Sequence, residues 1–80
     1  MIHKVHLKYF GQIAEFTGKT SELLSFESGS ITQLITHLEK NYPGLTDQDF
    51  KVAVDQEITD KNKTITKDVE IALLPPFAGG

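Results

Sequence analysis

Apolar and polar residues alternate along four stretches of the chain. Since every second side chain of a strand lies on the same face of its sheet, these stretches predict four β-strands. They are residues 5–9, 20–27, 50–55 and 69–74. In the second stretch, the pair Leu23-Leu24 leaves the inward face undecided. The fourth is apolar on both faces, which predicts a central strand covered on both sides. Its pairing should end before Pro75, which has no N–H to donate.

The main helix is predicted to begin after Ser30. Ser30 and Gln33 have the S-x-x-Q spacing of a capping box, in which each side chain binds a free backbone N–H at the helix start. Apolar residues then follow at helical spacing along one stripe, and Pro43-Gly44 should end the helix. The stripe consists of Ile31, Leu34, Ile35, Leu38 and Tyr42.

The other segments are shorter. A short helix ending at Gly18 is predicted after the first strand. Its one face would carry Phe10, Ile13, Ala14 and Thr17. Residues 55–68 are polar and turn-rich, with Ile58 and Ile65 as apolar anchors and a brief strand around Ile58. In chain order, these elements predict an α+β domain in which one sheet packs against one main helix. The order of the strands in the sheet stays open.

The composition narrows the class of protein. The 80 residues are 39% hydrophobic and 24% charged, which is typical of a globular domain, and they include no cysteine. The net charge of −3 argues against a nucleic-acid partner, which requires a basic face. No stretch approaches the ~20 apolar residues of a membrane span, and the first ten residues lack the apolar core of a signal peptide. We therefore expect a cytoplasmic protein.

The three histidines lack the spacing of a metal site. His3 and His6 lie an odd interval apart on a strand and so point to opposite faces, while His37 lies off the apolar stripe of the helix. With no cysteine and no paired ligand spacing, we expect neither a metal nor a bound cofactor. We also expect no active site within the chain itself, because no serine or threonine has the context of an activated nucleophile.

The composition of the last six residues suits a reactive tail. Two prolines keep the backbone extended and stiff, and Phe77 and Ala78 offer one large and one small apolar contact. Gly79 and Gly80 can pass through a channel too narrow for any Cβ. The reactive group is the α-carboxylate of Gly80, which a partner must activate, with ATP as the expected reagent. It can then accept a sulfur or be transferred to an amine.

We therefore divide the chain into a domain over residues 1–74 and an extended C-terminal reactive tail over residues 75–80. When extended, those six residues reach at most about 20 Å, which is enough to enter a buried site in another protein.

Three segments resemble the MoaD/ThiS family of ubiquitin-like sulfur carriers, and the resemblance extends over essentially the whole chain. They are VHLKYFGQIAEFTG (5–18), KVAVDQE (51–57) and ALLPPFAGG (72–80). The Pro-Pro-apolar-x-Gly-Gly ending is the most specific, and its paired prolines favour the molybdopterin branch of the family over the thiamine branch. The resemblance implies a ubiquitin-like β-grasp fold, in which the Ser30-capped helix lies across a mixed sheet of four to five strands.

The resemblance also implies a function. An E1-like adenylating enzyme of the MoeB type would use ATP to adenylate Gly80, and the adenylate would be converted to a thiocarboxylate. The sulfur would then be donated to the pterin precursor in molybdenum cofactor biosynthesis. Gly79 and Gly80 would be the threading and reacting residues, and Gly80 would carry the sulfur.

The implied partners supply the catalytic side chains. The tail would enter the MoaE-like large subunit of molybdopterin synthase, with Pro75, Pro76, Phe77 and Ala78 seating it there. In the family, this synthase is a heterotetramer of two small and two large subunits. An exposed apolar patch near the last strand is expected to dock the large subunit and the adenylating enzyme in turn, so the two complexes should exclude each other.

Two positions depart from the family pattern. Asp68-Val69 stands where members commonly have Gly-Asp, and we expect the turn to survive because Asp tolerates the left-handed conformation. Asp55 stands where the family often has Asn, which places any hydrogen bond from that amide in doubt.

Three alternatives to this function stay open. The chain could carry sulfur for thiamine, cysteine or tRNA thiolation, or it could be a ubiquitin-like modifier joined through Gly80 to lysines. It could also be a binding module without chemistry at its terminus. The sequence leaves open the activating enzyme, the sulfur source and whether the isolated protein is a monomer.

Overall fold

The elements of the chain follow the order that the alternation predicts. The computed structural model describes residues 2–27 and 29–76. Within them lie β1 (Ile2–Tyr9), α1 (Gln12–Thr17), β2 (Ser21–Glu27), β3 (Gly29–Ser30), α2 (Ile31–Glu39), a 3-10 helix (Leu45–Asp47), β4 (Lys51–Val54), β5 (Glu57–Thr59), β6 (Thr64–Ile65) and β7 (Val69–Leu74). The four predicted strands correspond to β1, β2, β4 and β7, and the brief strand around Ile58 is β5.

A five-stranded mixed sheet in the order β2-β1-β7-β4-β5 forms the centre of the fold. β1 and β7 run parallel, with Val5 opposite Val69 and Tyr9 opposite Leu73. The other three pairs of this sheet are antiparallel. The predicted β-grasp arrangement, a mixed sheet with one main helix across it, is therefore confirmed. The predicted central position of β7 is also confirmed.

Helix α2 begins at the predicted capping box. The Gln33 N–H donates to Ser30 Oγ at 3.2 Å, and the Ser30 N–H donates to Gln33 Oε1 at 2.8 Å. The helix ends at Glu39, earlier than the apolar stripe predicts, so Tyr42 packs on the core from the following turn. Glu39 accepts hydrogen bonds from the backbone N–H groups of Gly44 and Thr46, and these bonds hold its pKa below the ordinary value.

The inner face of the sheet, which lies against α2, carries the core. Every second side chain of the two central strands is buried there, as the alternation predicts. These side chains are Val5, Leu7, Tyr9, Val69, Ile71 and Leu73. They pack with the buried stripe of α2, Ile31, Leu34, Ile35 and Leu38. Complete burial of such a side chain contributes about 1.5–3 kcal/mol, so this face supplies most of the stability of the fold.

A polar cluster closes one end of this core. The hydroxyls of Tyr9 and Tyr42 both donate to Glu22 Oε2, each at 2.6 Å, and thereby join β1, β2 and the turn after α2. Burial raises the pKa of Tyr9, and the neighbouring Glu22 raises it further. Burial alone would raise the pKa of Glu22, but the hydrogen bonds from Tyr42 and Tyr9 outweigh it and hold that pKa below its ordinary value.

Two apolar side chains lie differently from their predicted places, and the structure decides between two others, Leu23 and Leu24. Phe10 was expected on the buried face of the short helix, but it is 44% exposed. Its N–H donates to the Leu73 carbonyl, so Phe10 continues the alternation of β1 and follows the inward Tyr9 with an outward side chain. Ile58 was expected to anchor its loop, but it is 57% exposed because it pairs with Ala53, whose side chain also faces outward. In β2, Leu24 faces the core and Leu23 is 68% exposed.

The outer face of β7 is only partly covered, which corrects the expectation of a strand covered on both sides. Ala72 is buried there, whereas Glu70 and Leu74 are half-buried. A second small sheet, formed by β3 and β6, was not predicted, because two-residue strands leave no alternation to detect. Ile65 of β6 is buried, as expected of an anchor.

Candidate functional site

Strand β7 carries the chain from the core to the predicted tail. Its ladder ends with Leu73 opposite Tyr9 and Leu74 opposite Lys51, and pairing stops before Pro75 as predicted. Pro75 and Pro76 are both half-buried at this edge of the sheet, and we call these two residues the stem. The other predicted site residues, Phe77, Ala78, Gly79 and Gly80, lie outside the described residues.

The turn between β1 and α1 lies directly against the stem. Gly11 has φ +57° and ψ −130°, a conformation that residues with L side chains rarely adopt. A Cβ placed on Gly11 would lie 2.6 Å from Pro75 Cγ, closer than real Cβ contacts come. The absence of a side chain at position 11 is therefore what allows Pro75 its position.

A groove of about 410 Å³ lies beside the stem on the outer face of the sheet. Its apolar surface comes from Phe10, Ala53, Ile58, Ala72 and Leu74, and its polar rim comes from Lys8, Gln56 and Glu70. Across the sheet, Lys8 pairs with Ala72, Ala72 with Ala53, and Ala53 with Ile58. The two small alanines thus lie side by side between longer side chains, and this difference in side-chain volume produces the groove.

One ion pair borders the groove. Lys8 Nζ lies 2.9 Å from Glu70 Oε1, and both side chains remain partly exposed. An exposed pair of this kind contributes only about 0–1 kcal/mol to the free energy of folding, so it adds little to the stability of the sheet. An open apolar surface with a short charged rim is instead what a protein-docking site requires.

The hairpin turn between β4 and β5 closes the other end of the groove. Asp55 and Gln56 have φ values of 51° and 73°, and they are the residues other than glycine with positive φ in the described part of the chain. The Asp55 N–H donates to the Glu70 carbonyl at 2.8 Å, and Asp55 Oδ1 accepts from the Glu70 N–H at 3.1 Å. The carboxylate of Asp55 therefore joins the turn to β7 as a hydrogen-bond acceptor. This bond does not need the side-chain amide that an Asn at position 55 would have.

Asp68, which stands where family members commonly have Gly, was expected to adopt the left-handed conformation. Asp68 does not adopt the left-handed conformation. Its Oδ1 instead accepts a hydrogen bond from the Lys4 N–H at 2.8 Å, which joins the start of β7 to β1. The short side chain thus contributes a hydrogen bond to the sheet where a glycine would contribute only conformational freedom.

The histidines are placed apart. His3 is buried on the inner face, whereas His6 and His37 are exposed. Within residues 2–27 and 29–76, no group of three or more acidic or histidine side chains could hold a metal ion. Over the same ranges, no helix is long and apolar enough to cross a membrane.

Sequence reasoning predicted an apolar patch near the last strand without naming its residues. The residues it missed are Gly11 at the stem and the groove residues outside β7, which are Lys8, Phe10, Ala53, Gln56 and Ile58. The outward alternation of Lys8 in β1 and Phe10 directly after it was a usable signal for two of them. The juxtaposition of Ala53 and Ala72 depends on the strand order, which the pattern does not give.

Comparisons with known proteins relate the chain to one family. The model of the ThiS family matches residues 7–80. The human molybdopterin synthase sulfur carrier subunit is 35% identical over 83 aligned positions, which cover 96% of this chain and 94% of the human protein.

Two solved structures share the fold. A putative molybdopterin converting factor subunit 1 from Pyrococcus furiosus has a TM-score of 0.81 at 20% identity, covering 92% of this chain and 98% of that one. A chain from the complex of subunits 1 and 2 of the Helicobacter pylori molybdopterin-converting factor has a TM-score of 0.62 at 24% identity, covering 96% and 99%.

Proposed function

Since the chain belongs to the ThiS family, we propose that it is a sulfur carrier for molybdopterin synthesis. The C-terminal carboxylate of Gly80 is adenylated, converted to a thiocarboxylate, and used to donate sulfur to the pterin precursor of the molybdenum cofactor. The observation that carries the proposal is the match to the human sulfur carrier subunit along almost the entire length of both chains. The Gly79-Gly80 ending supports it, because the reaction needs a terminal carboxyl without neighbouring side chains.

The chemistry requires a carboxylate to become an electrophile. A carboxylate oxygen of Gly80 attacks the α-phosphorus of ATP and expels pyrophosphate, which leaves an acyl-adenylate. Hydrosulfide, or sulfur delivered at the same oxidation level, then adds at the acyl carbon and expels AMP, so that a C–S bond replaces the C–O bond to AMP and the thiocarboxylate remains after loss of one proton. An E1-like adenylating enzyme of the MoeB type performs the first step in this proposal. This chain supplies the carboxyl group and its delivery.

The groove supports a role in docking. Its exposed apolar side chains, Phe10 and Ile58, expose area that a partner could bury, and Leu74 connects the groove to the stem. A partner seated there would have the tail at its edge, where the tail can enter the partner's reaction centre. In this proposal the MoaE-like large subunit and the adenylating enzyme use the same groove, so they bind one at a time. The Helicobacter pylori complex supports the large subunit as a partner.

An intact-mass measurement tests the carrier chemistry. The full chain is incubated with a MoeB-like adenylating enzyme, ATP and a sulfur source, beside a variant that lacks Gly80. We expect the full chain to gain the mass difference between sulfur and oxygen, and the shortened variant to keep its mass. An unchanged full chain, with a related carrier converted in parallel, would overturn the proposal. Isopeptide-linked adducts in place of a thiocarboxylate would favour a protein modifier.

A second measurement identifies the sulfur acceptor. The thiocarboxylated protein is mixed with the MoaE-like large subunit and the cyclic pterin precursor, and molybdopterin is measured. We expect product in proportion to the thiocarboxylate supplied. In cells, deletion of Gly79 and Gly80 is expected to abolish molybdoenzyme activity without thiamine auxotrophy. Normal cofactor levels in that strain would contradict the assignment to this pathway.

A further inference from the structure

The turn before α1 is fixed beside the end of β7. The Phe10 N–H donates to the Leu73 carbonyl at 3.1 Å, one step beyond the last pair of the parallel ladder, Tyr9 with Leu73. This bond holds the turn next to the place where Leu74 gives way to Pro75. The ring of Pro75 consequently leaves the sheet against the backbone of Gly11 and not into open solvent.

Two backbone hydrogen bonds and one buried side chain hold Gly11 in place beside Pro75. The Ile13 N–H donates to the Phe10 carbonyl at 3.2 Å, and the Glu15 N–H donates to the Gly11 carbonyl at 3.3 Å. The Ile13 side chain is buried in the core, which anchors the first turn of α1. A side chain added at position 11 would therefore have to be accommodated by displacement of the Pro75 ring, whose Cγ would lie 2.6 Å from the new Cβ.

We propose that Gly11 is a positioning residue for the reaction at the C-terminus. By leaving room for the Pro75 ring, it sets the direction in which the chain continues from β7 through Pro75 to Pro76. The groove binds the partner, and the contact between Gly11 and Pro75 aims the tail. This proposal rests on the proposed function, in which Gly80 must reach a reaction centre in another protein. A misplacement of about 1 Å at such a centre can cost about 100-fold in rate.

The test is ATP–pyrophosphate exchange catalysed by a MoeB-like adenylating enzyme at varied concentrations of the full-length carrier. The variant is Gly11→Ala. The matched control is Gly18→Ala, at the other end of α1, where φ is also positive at +76° but nothing lies within 4 Å of an added Cβ. Both variants incur backbone strain, but only Gly11→Ala disturbs the stem. Thermal unfolding of each variant sets an assay temperature at which both are folded.

We expect Gly11→Ala to lower kcat about 10- to 100-fold while KM changes little, because docking through the groove is retained. Gly18→Ala should keep the kcat of the unaltered protein. Equal kcat values for the two variants, or a loss carried by KM alone, would overturn the positioning role. Absence of exchange with the unaltered protein would instead overturn the proposed function, and the positioning role with it.

Pro75→Ala tests the same contact while Gly11 itself stays unaltered. Pro75→Ala removes the ring that occupies the space beside Gly11, and we expect kcat to fall without a matching change in KM. Adding Gly11→Ala to Pro75→Ala should cost little more, because the Cγ that the new Cβ would meet is gone. Losses that simply multiply would show that the two residues act independently and would contradict the proposal.

Discussion

Leu73 and Leu74 are neighbours in β7, but their side chains lie on opposite faces of the sheet. Leu73 is fully buried in the core beneath α2, whereas Leu74 is half-buried and lines the groove. The same contrast holds one step earlier, where Ile71 fills the core and Ala72 forms part of the groove. Strand geometry is common to both faces, so the difference lies in what covers each face: the buried stripe of α2 packs on the inner face, whereas the outer face stays open at the groove.

This contrast separates two tasks within one strand. The inner face has large aliphatic side chains that bury area and stabilise the fold. The outer face has Ala53 and Ala72 side by side, which leaves a groove whose longer neighbours stay accessible to a partner. Substitutions on the two faces should therefore change different quantities: the free energy of unfolding on the inner face, and partner affinity on the outer face.

The largest expected effect comes from Leu73→Ala, with Leu74→Ala as its matched control. Leu73 is fully buried, so its truncation should lower the free energy of unfolding by about 3 kcal/mol through lost transfer energy and the cavity left behind. Leu74→Ala should cost less than half as much. Urea unfolding followed by circular dichroism measures both values, and equal losses would contradict the division of the sheet into two faces.

Glu22→Ala should have the next largest effect on the free energy of unfolding, because it removes the centre of the polar cluster that closes one end of the core. It leaves the hydroxyls of Tyr9 and Tyr42 without their shared acceptor, which should cost about 2 kcal/mol. Glu22→Gln keeps an acceptor oxygen and should cost less. Urea unfolding at neutral pH measures the two variants, and the expectation is wrong if Gln is as disruptive as Ala.

The same carboxylate gives the stability a pH dependence of known sign. The pKa of Glu22 is lower in the folded protein than its ordinary value of 4.5, so the folded state binds fewer protons than the unfolded state in that range. Its contribution is fully present above about pH 4.5 and is lost as the pH falls through the folded pKa. The stability difference between the unaltered protein and Glu22→Gln should therefore shrink as the pH is lowered from 6 to 3. Urea unfolding at several pH values in this range measures it.

On the outer face, Ile58→Asp should weaken partner binding while leaving folding nearly unchanged. Ile58 is exposed and lines the groove, so a carboxylate there should lower the affinity for the large subunit at least tenfold, about 1.4 kcal/mol. Leu23→Asp is the control, because Leu23 is also exposed but lies outside the groove. Calorimetry with the large subunit and with the adenylating enzyme should show the same ranking for both partners. A loss of affinity in Leu23→Asp but not in Ile58→Asp would show that the partners dock outside the groove.

The smallest expected effect is a gain in stability from Gln56→Gly. Gln56 has φ +73°, which costs free energy in any residue with a Cβ, and a two-residue hairpin turn with positive φ at both positions favours Asp-Gly. We expect the free energy of unfolding to rise by about 0.5 kcal/mol, after subtraction of the added flexibility of the unfolded chain. A loss of stability would show that the Gln56 side chain contributes contacts that outweigh the strain.

Local patterns predicted those features that depend on neighbours in sequence. Ser30 and Gln33 predicted the start of α2, the two apolar faces of residues 69–74 predicted a central strand, and the missing N–H of Pro75 predicted where its pairing ends. The groove could not be predicted in detail, because Ala53 and Ala72 become neighbours only when β4 pairs with β7. Likewise, the importance of Gly11 depends on the parallel pairing that brings Pro75 beside it.

The inward face of β2 shows a second reason why local patterns fall short. Leu23 and Leu24 have equal hydrophobicity, so only the register with β1, in which Val5 lies opposite Leu24, decides which of them is buried. Phe10 and Ile58 are similar cases, because an exposed aromatic or aliphatic side chain cannot be told from a core residue by composition. Their exposure is what makes them candidates for binding a partner.

The parallel pairing of β1 with β7 has a practical consequence for handling the protein. Tyr9 lies beside Leu73 near the stem, and Ile2 lies seven residues back along β1. At about 3.3 Å per residue, the start of β1 is therefore about 23 Å from the end that carries the tail. A fluorophore, an affinity tag or a solid support attached ahead of Ile2 would be held at the end of the sheet opposite the stem. The carboxyl end would then stay accessible to enzymes in solution, so the carrier could be immobilised, charged and discharged on the same surface.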